Sequence, residues 1–167
     1  MQRRVGEIEE FEFGMLTQCN SSQLHIAIAI SGWLTEETDD NFKRPWRCLS
    51  SSKEQYFLRY ESSYLKELGQ ALNLAVSAAV TVAAQEALKF TILRGLLAAV
   101  TWPASLVSLS SIVDNPWGVC LRRSAQVGRH LAHVLLSKQH GGRPVTLVGY
   151  SLGARVVFYC LKVIKSK

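Results

Sequence analysis

The first thing missing from this sequence is an apolar stretch at its start. Met1-Gln2-Arg3-Arg4-Val5-Gly6-Glu7 lacks the apolar stretch of a secretory signal peptide. Cysteine is also sparse. Cys19, Cys48, Cys120 and Cys160 are the whole complement, with no C-x-x-C and no Cys/His ligand spacing. That argues against a zinc site and favours a reduced, cytosol-facing or cytoplasmic chain. No metal or cofactor is expected, and Cys120 and Cys160 read as buried thiols on apolar helix faces. No basic stripe interleaved with aromatics is present. The 19 Lys and Arg against 13 Asp and Glu give a net charge of +6, scattered as Arg3-Arg4, Lys43-Arg44, Arg122-Arg123 and Lys162 to Lys167. Nucleic acid is therefore not an expected partner, while a mild pull towards anionic surfaces remains. Internal repeats and low-complexity linkers are absent too, and 167 residues suit one domain.

What is present centres on Arg143 to Arg155. Val145 to Val148 is a short uncharged β-prone run. Gly149-Tyr150-Ser151-Leu152-Gly153 fits G-x-S-x-G, the spacing of a nucleophile elbow. An apolar helix pattern follows through Val156, Val157, Tyr159, Cys160, Val163 and Ile164. In such a turn the two glycines let strand and helix pass where a Cβ would clash. The serine, here Ser151, projects as candidate nucleophile, and the Leu152 N–H at the helix start can face a developing oxyanion. The alternative is a plain Gly/Ser turn in another βα unit.

Upstream, Glu7 to Phe13 alternates like an edge strand. Leu24 to Ile30 is apolar on both faces, which suits the middle of a parallel sheet. Ser31-Gly32-Trp33 follows, and Gly32 and Trp33 are candidates for the second oxyanion N–H; a simple strand-end turn is the other reading. Thr35 to Arg44 reads as a surface loop, Pro45 to Leu49 as a short helix or turn, and Gln55 to Tyr60 as a third strand. By analogy with the hydrolase folds that carry such an elbow, the expected sheet order is 7–13, 55–60, 24–31, 144–149, with the last three strands parallel.

Residues 68–85 and 95–113 carry no charge. Both reach the roughly 18 residues of a membrane span, but Gln70, Asn73, Gln85, Pro103 and several Ser and Thr weaken them. A buried helical pair inserted at about 62–113 is the favoured expectation; membrane insertion or surface embedding is the alternative. Residues 117–138 form an amphipathic helix, with Leu121, Val127, Leu131, Val134 and Leu135 on one face and Arg122, Arg123, Arg129 and Lys138 elsewhere.

These segments resemble the α/β-hydrolase-like domain of the transmembrane and coiled-coil domain-containing protein 4 family. The matching stretches are Val5-Gly6 with Glu9 to Phe11, Ile30 to Leu34, Tyr60 to Ser62, Thr101 to Pro103, Asp114 to Trp117, and Arg143 to Val156. The resemblance implies a partial, mostly parallel α/β-hydrolase-like sheet with helices on both faces, in a membrane-associated protein of esterase or lipase type. It implies no substrate. The chain departs from the family by lacking its long helical, coiled-coil part and by ending soon after the elbow, and so reads as a truncated product.

In the hydrolase fold the acid and histidine follow the serine. Between Leu152 and Lys167 there is no Asp, Glu or His. His140 precedes the elbow strand, which rises about 20 Å, and His25 starts a parallel strand, so both fall at the opposite end. His130 and His133 lie on a returning helix. None is expected within the roughly 3.2 Å that a general base requires. The expectation is a hydrolase-like chain without its own base, or a membrane-associated or partner-binding module. Self-association through an uncharged 144–149 edge is expected as well.

Overall fold

The computed structural model describes residues 8–16, 24–49, 54–87 and 116–166. In chain order these give β1 (Phe11–Met15), β2 (Ile26–Ile30), α1 (Asp39–Lys43), a 3-10 turn (Arg44–Leu49), β3 (Glu54–Tyr60), α2 (Ser62–Ala87), α3 (Pro116–Leu136), β4 (Val145–Gly149) and α4 (Leu152–Lys165). The class is α/β, with a mixed four-stranded sheet in the order β1-β3-β2-β4.

The apolar run of β2 decides that order. Ile26, Ile28, Ala29 and Ile30 are all buried, which requires cover on both faces and a neighbour on both edges. β3 and β4 flank β2 in parallel, with Ile28 opposite Tyr56 and Leu147. β1 runs antiparallel to β3, pairing Phe11 with Tyr60 and Met15 with Tyr56. It begins four residues later than the acidic alternation suggests, because Glu9 and Glu10 are drawn into ion pairs instead of the ladder. The loop expected at Thr35 to Arg44 contains α1, which buries Phe42 against Phe57 at a ring separation of 5.6 Å.

α3 and α4 pack against each other and join the core through Val127, Leu131, Val156 and Cys160. Burial pushes the Cys120 thiol up to about 12 and the Cys160 thiol to about 11, so both stay protonated at neutral pH as inert apolar groups.

Two expectations need correction. The first uncharged run lies in α2, but Leu74, Val76 and Val80 there are exposed, and among the described residues no apolar helical pair is found. The second run lies outside the described residues. Among those described, no helix is long and apolar enough to cross a membrane; Gln70, Asn73 and the many alanines dilute the first run. Arg123, expected on the polar face of its helix, is instead buried. Its Nη1 donates to Glu61 Oε2 at 2.5 Å and its Nη2 to Glu9 Oε1 at 2.8 Å, with the guanidinium over the Tyr64 ring. Glu61 is buried at the end of β3 with a φ of 45° and also accepts the Glu9 N–H. A carboxylate so far from water needs a cation beside it, and Arg123 supplies one from α3.

This asymmetry is testable by denaturation. Arg123→Met strands the Glu61 charge and is expected to cost about 3–5 kcal/mol. Glu9→Ala removes the solvent-exposed acid of the trio and is expected to cost less than about 1 kcal/mol. Equal losses would show that Glu61 does not depend on Arg123.

Candidate active site

The parallel strands β2 and β4 end level at Ile30 and Gly149, and β3 runs two residues past Leu58, the partner of Ile30, to Tyr60. The chain leaves β2 towards β3 on one side and later returns to β4 on the other. β2 and β4 therefore bracket a topological switch point, where α/β sheets usually bind ligands beyond the strand ends. Ser31-Gly32-Trp33 and Tyr150-Ser151-Leu152 meet there.

The meeting is a backbone contact. A Cβ on Gly32 would overlap the Tyr150 carbonyl oxygen and the Leu152 nitrogen, and would lie 2.7 Å from Ser151 Cβ. A Cβ on Gly149 would lie 2.7 Å from the Gly153 carbonyl, and one on Gly153 would overlap the Ile30 carbonyl. These glycines let β2, β4 and α4 converge on a single residue.

That residue is Ser151, with φ 53° and ψ −125°. These angles match the first corner of a type II′ turn, a position dominated by glycine. Serine at a helix start normally caps it with its hydroxyl; here the hydroxyl makes no capping bond. The Gly153 and Ala154 N–H groups donate instead to the carbonyls of Tyr150 and Ser151, at 2.9 and 3.1 Å. Ser151 is exposed, and its hydroxyl is left for other work.

Of the expected donors, Gly32 packs directly against the Leu152 nitrogen and Ser151. Burial pushes the Tyr150 phenol up, and hydrogen bonds from the Ser31 hydroxyl and the Gly32 amide act the other way. The Trp33 and Leu152 amides have no acceptor among the described residues, and Leu152 adds the positive end of α4. This is an arrangement able to hold a small negative charge beside a free hydroxyl.

Aromatic groups hold the β2 loop in place. Tyr60 OH donates to Ser31 O at 2.7 Å, Trp46 Nε1 to Ser31 Oγ at 3.1 Å, and Tyr150 OH to Trp33 O at 3.2 Å. Leu34 N–H donates to Leu65 O on α2. Sequence reasoning missed these positioning groups; the only signal was an aromatic residue inside G-x-S-x-G.

No histidine hydrogen-bonds to Ser151. His25 Nε2 lies 2.8 Å from Thr146 Oγ1, near the other end of β4. His130 packs on Phe11, His133 is exposed on α3, and the His140 carbonyl accepts from Arg143 ahead of β4. Asp39 is held by Arg59, and Asp114 lies outside the described residues. Among the described residues no group of acids, cysteines and histidines could hold a metal ion.

The fold and this junction define an α/β chain with an exposed serine at a strand–helix turn. The chain belongs to the family described as "Protein of unknown function (DUF726)", which matches residues 1–167. It is 53% identical over 163 residues to an uncharacterized membrane protein of Caenorhabditis elegans. It is 41% identical over 165 residues to transmembrane and coiled-coil domain-containing protein STS1 of Oryza sativa, and 36% identical over 162 residues to "Probable lipase MIL1" of Saccharomyces cerevisiae. These alignments cover 96%, 97% and 96% of this chain but 26%, 24% and 15% of the relatives. No solved structure matches.

The backbone at Ser151 gives a direct test. Ser151→Gly relieves a positive φ and is expected to stabilise the chain by about 1 kcal/mol. Ser151→Ala keeps the strain and is expected to be neutral. Gly32→Ala forces atoms apart and is expected to cost about 1–3 kcal/mol. Thermal melts in which Ser151→Gly is the least stable of the three would contradict this geometry.

Proposed function

We propose that this chain carries the nucleophile-bearing part of a serine hydrolase-like module of esterase or lipase type, within a membrane-associated protein. The observation that supports it best is Ser151 itself: a non-glycine residue at φ 53°, at a strand–helix junction, with an uncapped hydroxyl and a free amide next to it. Such a residue costs about 1–3 kcal/mol to hold, and a structural turn would use glycine. In this reading Ser151 attacks an ester carbonyl, and the Leu152 and Trp33 N–H groups bind the resulting oxyanion. The name of the yeast relative agrees with that chemistry, and the names of the worm and rice relatives agree with membrane association.

A serine without a base is a poor nucleophile. The described residues bring none to it, so this chain alone is proposed to be inactive, its acid and histidine coming from outside these residues. The same displacement of the histidines supports a second reading, a membrane-associated or partner-binding module without catalysis. A fluorophosphonate probe separates the two. In the hydrolase reading, a full-length relative is labelled at the serine matching Ser151, and this chain is labelled at least about a thousandfold more slowly. A folded full-length relative that resists the probe would leave only the second reading.

We also propose that β4 pairs through its outer edge. It ends the sheet formed by the described residues, and Val145 to Val148 offer no charge to protect it. The purified chain is expected to sediment as dimers or larger species in plain buffer. A monodisperse monomer with a cooperative melt would refute this.

A further inference from the structure

The charge of this chain is sorted along its length. All thirteen acidic residues lie at or before Asp114, while Pro116 to Lys167 holds nine Lys and Arg and no Asp or Glu. That second part is α3, β4 and α4. Arg123 and Arg143 are neutralised internally, by Glu61 and Glu54. Arg122, Arg129, Lys138, Arg155, Lys162 and Lys165 have no acidic partner among the described residues.

α4 presents these charges together with apolar side chains. Its inner stripe is Leu152, Val156 and Cys160, all buried. Its outer stripe is Phe158, Leu161, Lys162 and Lys165, at the i, i+3, i+4, i+7 spacing of a contact face. Phe158 is 60% exposed and Leu161 54%. Helix-dipole compensation accounts for the lysines in the last turn, but not for a phenylalanine in the middle of the outer face. α3 lies alongside, packed at Gly128, where a Cβ would come 2.8 Å from Tyr159 Cβ. Arg129 of α3 and Arg155 of α4 both stack on the Tyr159 ring, joining the two outer faces.

We propose that the outer face of α3 and α4 docks on an anionic lipid bilayer, with Phe158 and Leu161 entering the headgroup layer and the flanking Lys and Arg meeting lipid phosphates. This rests on the membrane-associated reading above and assigns it a surface. The composition selects the occupant. A second copy would bring the same positive charge and be repelled. Single-stranded nucleic acid favours a basic groove with several stacking aromatics, whereas this stripe has one, Phe158, beside the aliphatic Leu161. A basic helix with Phe and Leu on the same exposed side suits an interfacial bed of anionic headgroups.

Vesicle flotation of the chain tests this. Binding is expected to be at least about tenfold tighter to phosphatidylcholine vesicles containing phosphatidylserine than to phosphatidylcholine alone, and to weaken as salt is raised. Lys162→Glu with Lys165→Glu is expected to lose at least about tenfold, each basic residue near such a surface being worth roughly fivefold. Phe158→Ser with Leu161→Ser is expected to lose about tenfold at unchanged charge. Circular dichroism melts confirm that each variant is folded, which the outer position of these residues favours. Equal binding to neutral vesicles would overturn the proposal. So would full binding by the charge-reversed variant, or polyuridylate binding that rivals the vesicles and ignores Phe158 and Leu161. Probe-silent relatives with intact vesicle binding would sink the hydrolase reading alone, and failed flotation with a labelled serine would sink the docking face alone.

Discussion

The structure turns on one backbone contact, where the first turn of α4 presses on the end of β2. Gly153 sits against the Ile30 carbonyl, and Gly32 against Leu152 N. Side chains would hold these segments farther apart, so the contact needs glycine on both sides. Once made, it fixes the register of β4 on β2 and the direction in which α4 leaves the sheet. It also fixes the backbone of Ser151, which must reverse between a strand and a helix within one residue. The positive φ there is a consequence of convergence, and the three aromatic hydrogen bonds on the β2 loop keep that loop in place to receive it.

A second constraint is electrostatic and works at the far side of the same sheet end. Glu61 closes β3 in a buried position, and Arg123 must come inward to meet it. That single ion pair ties the lead-in to β1, the end of β3, the start of α2 and the middle of α3, because Glu9 and Tyr64 share the guanidinium. Arg143 and Glu54 do a similar job at the opposite end of the strands. The chain therefore spends its acids in its first two-thirds partly on arginines from its last third. Of the cations left in that last third, Arg122 and Arg129 on α3 and Lys162 and Lys165 on α4 are exposed.

How much of this could be read from the sequence depended on how local the cause was. Leu24 to Ile30 announced a central strand because burial on both faces leaves no polar alternation, whereas the full sheet order came from fold analogy and not from the residues. The turn at Ser151 was legible because steric need for glycine at fixed spacing is a local signal. Arg123 was not legible: its helical position pointed outward by periodicity, and only the distant buried Glu61 pulled it in. β1 was misplaced for the same reason, since Glu9 and Glu10 serve partners about 50 residues away and not a strand face. α1 was hidden by its charge, although Phe42 within it is fully buried. The exposure of Phe158 and Leu161 on α4 was not legible, because the apolar residues of this helix continue around it.

The two proposed roles meet on one element. α4 begins at Ser151 and carries Phe158, Leu161, Lys162 and Lys165 along its outer side. From Ser151 to Phe158 is seven residues, or about 10 Å of helix at roughly 1.5 Å per residue. A helix lying flat with Phe158 among lipid headgroups would therefore hold its N-terminus, and the Ser151 hydroxyl, within about that distance of the interface. An ester at the edge of a bilayer could reach the serine without leaving the membrane surface by more than a headgroup layer. Docking and chemistry would then be coupled through the rigidity of α4, the element that the Gly153–Ile30 contact already locks to the sheet.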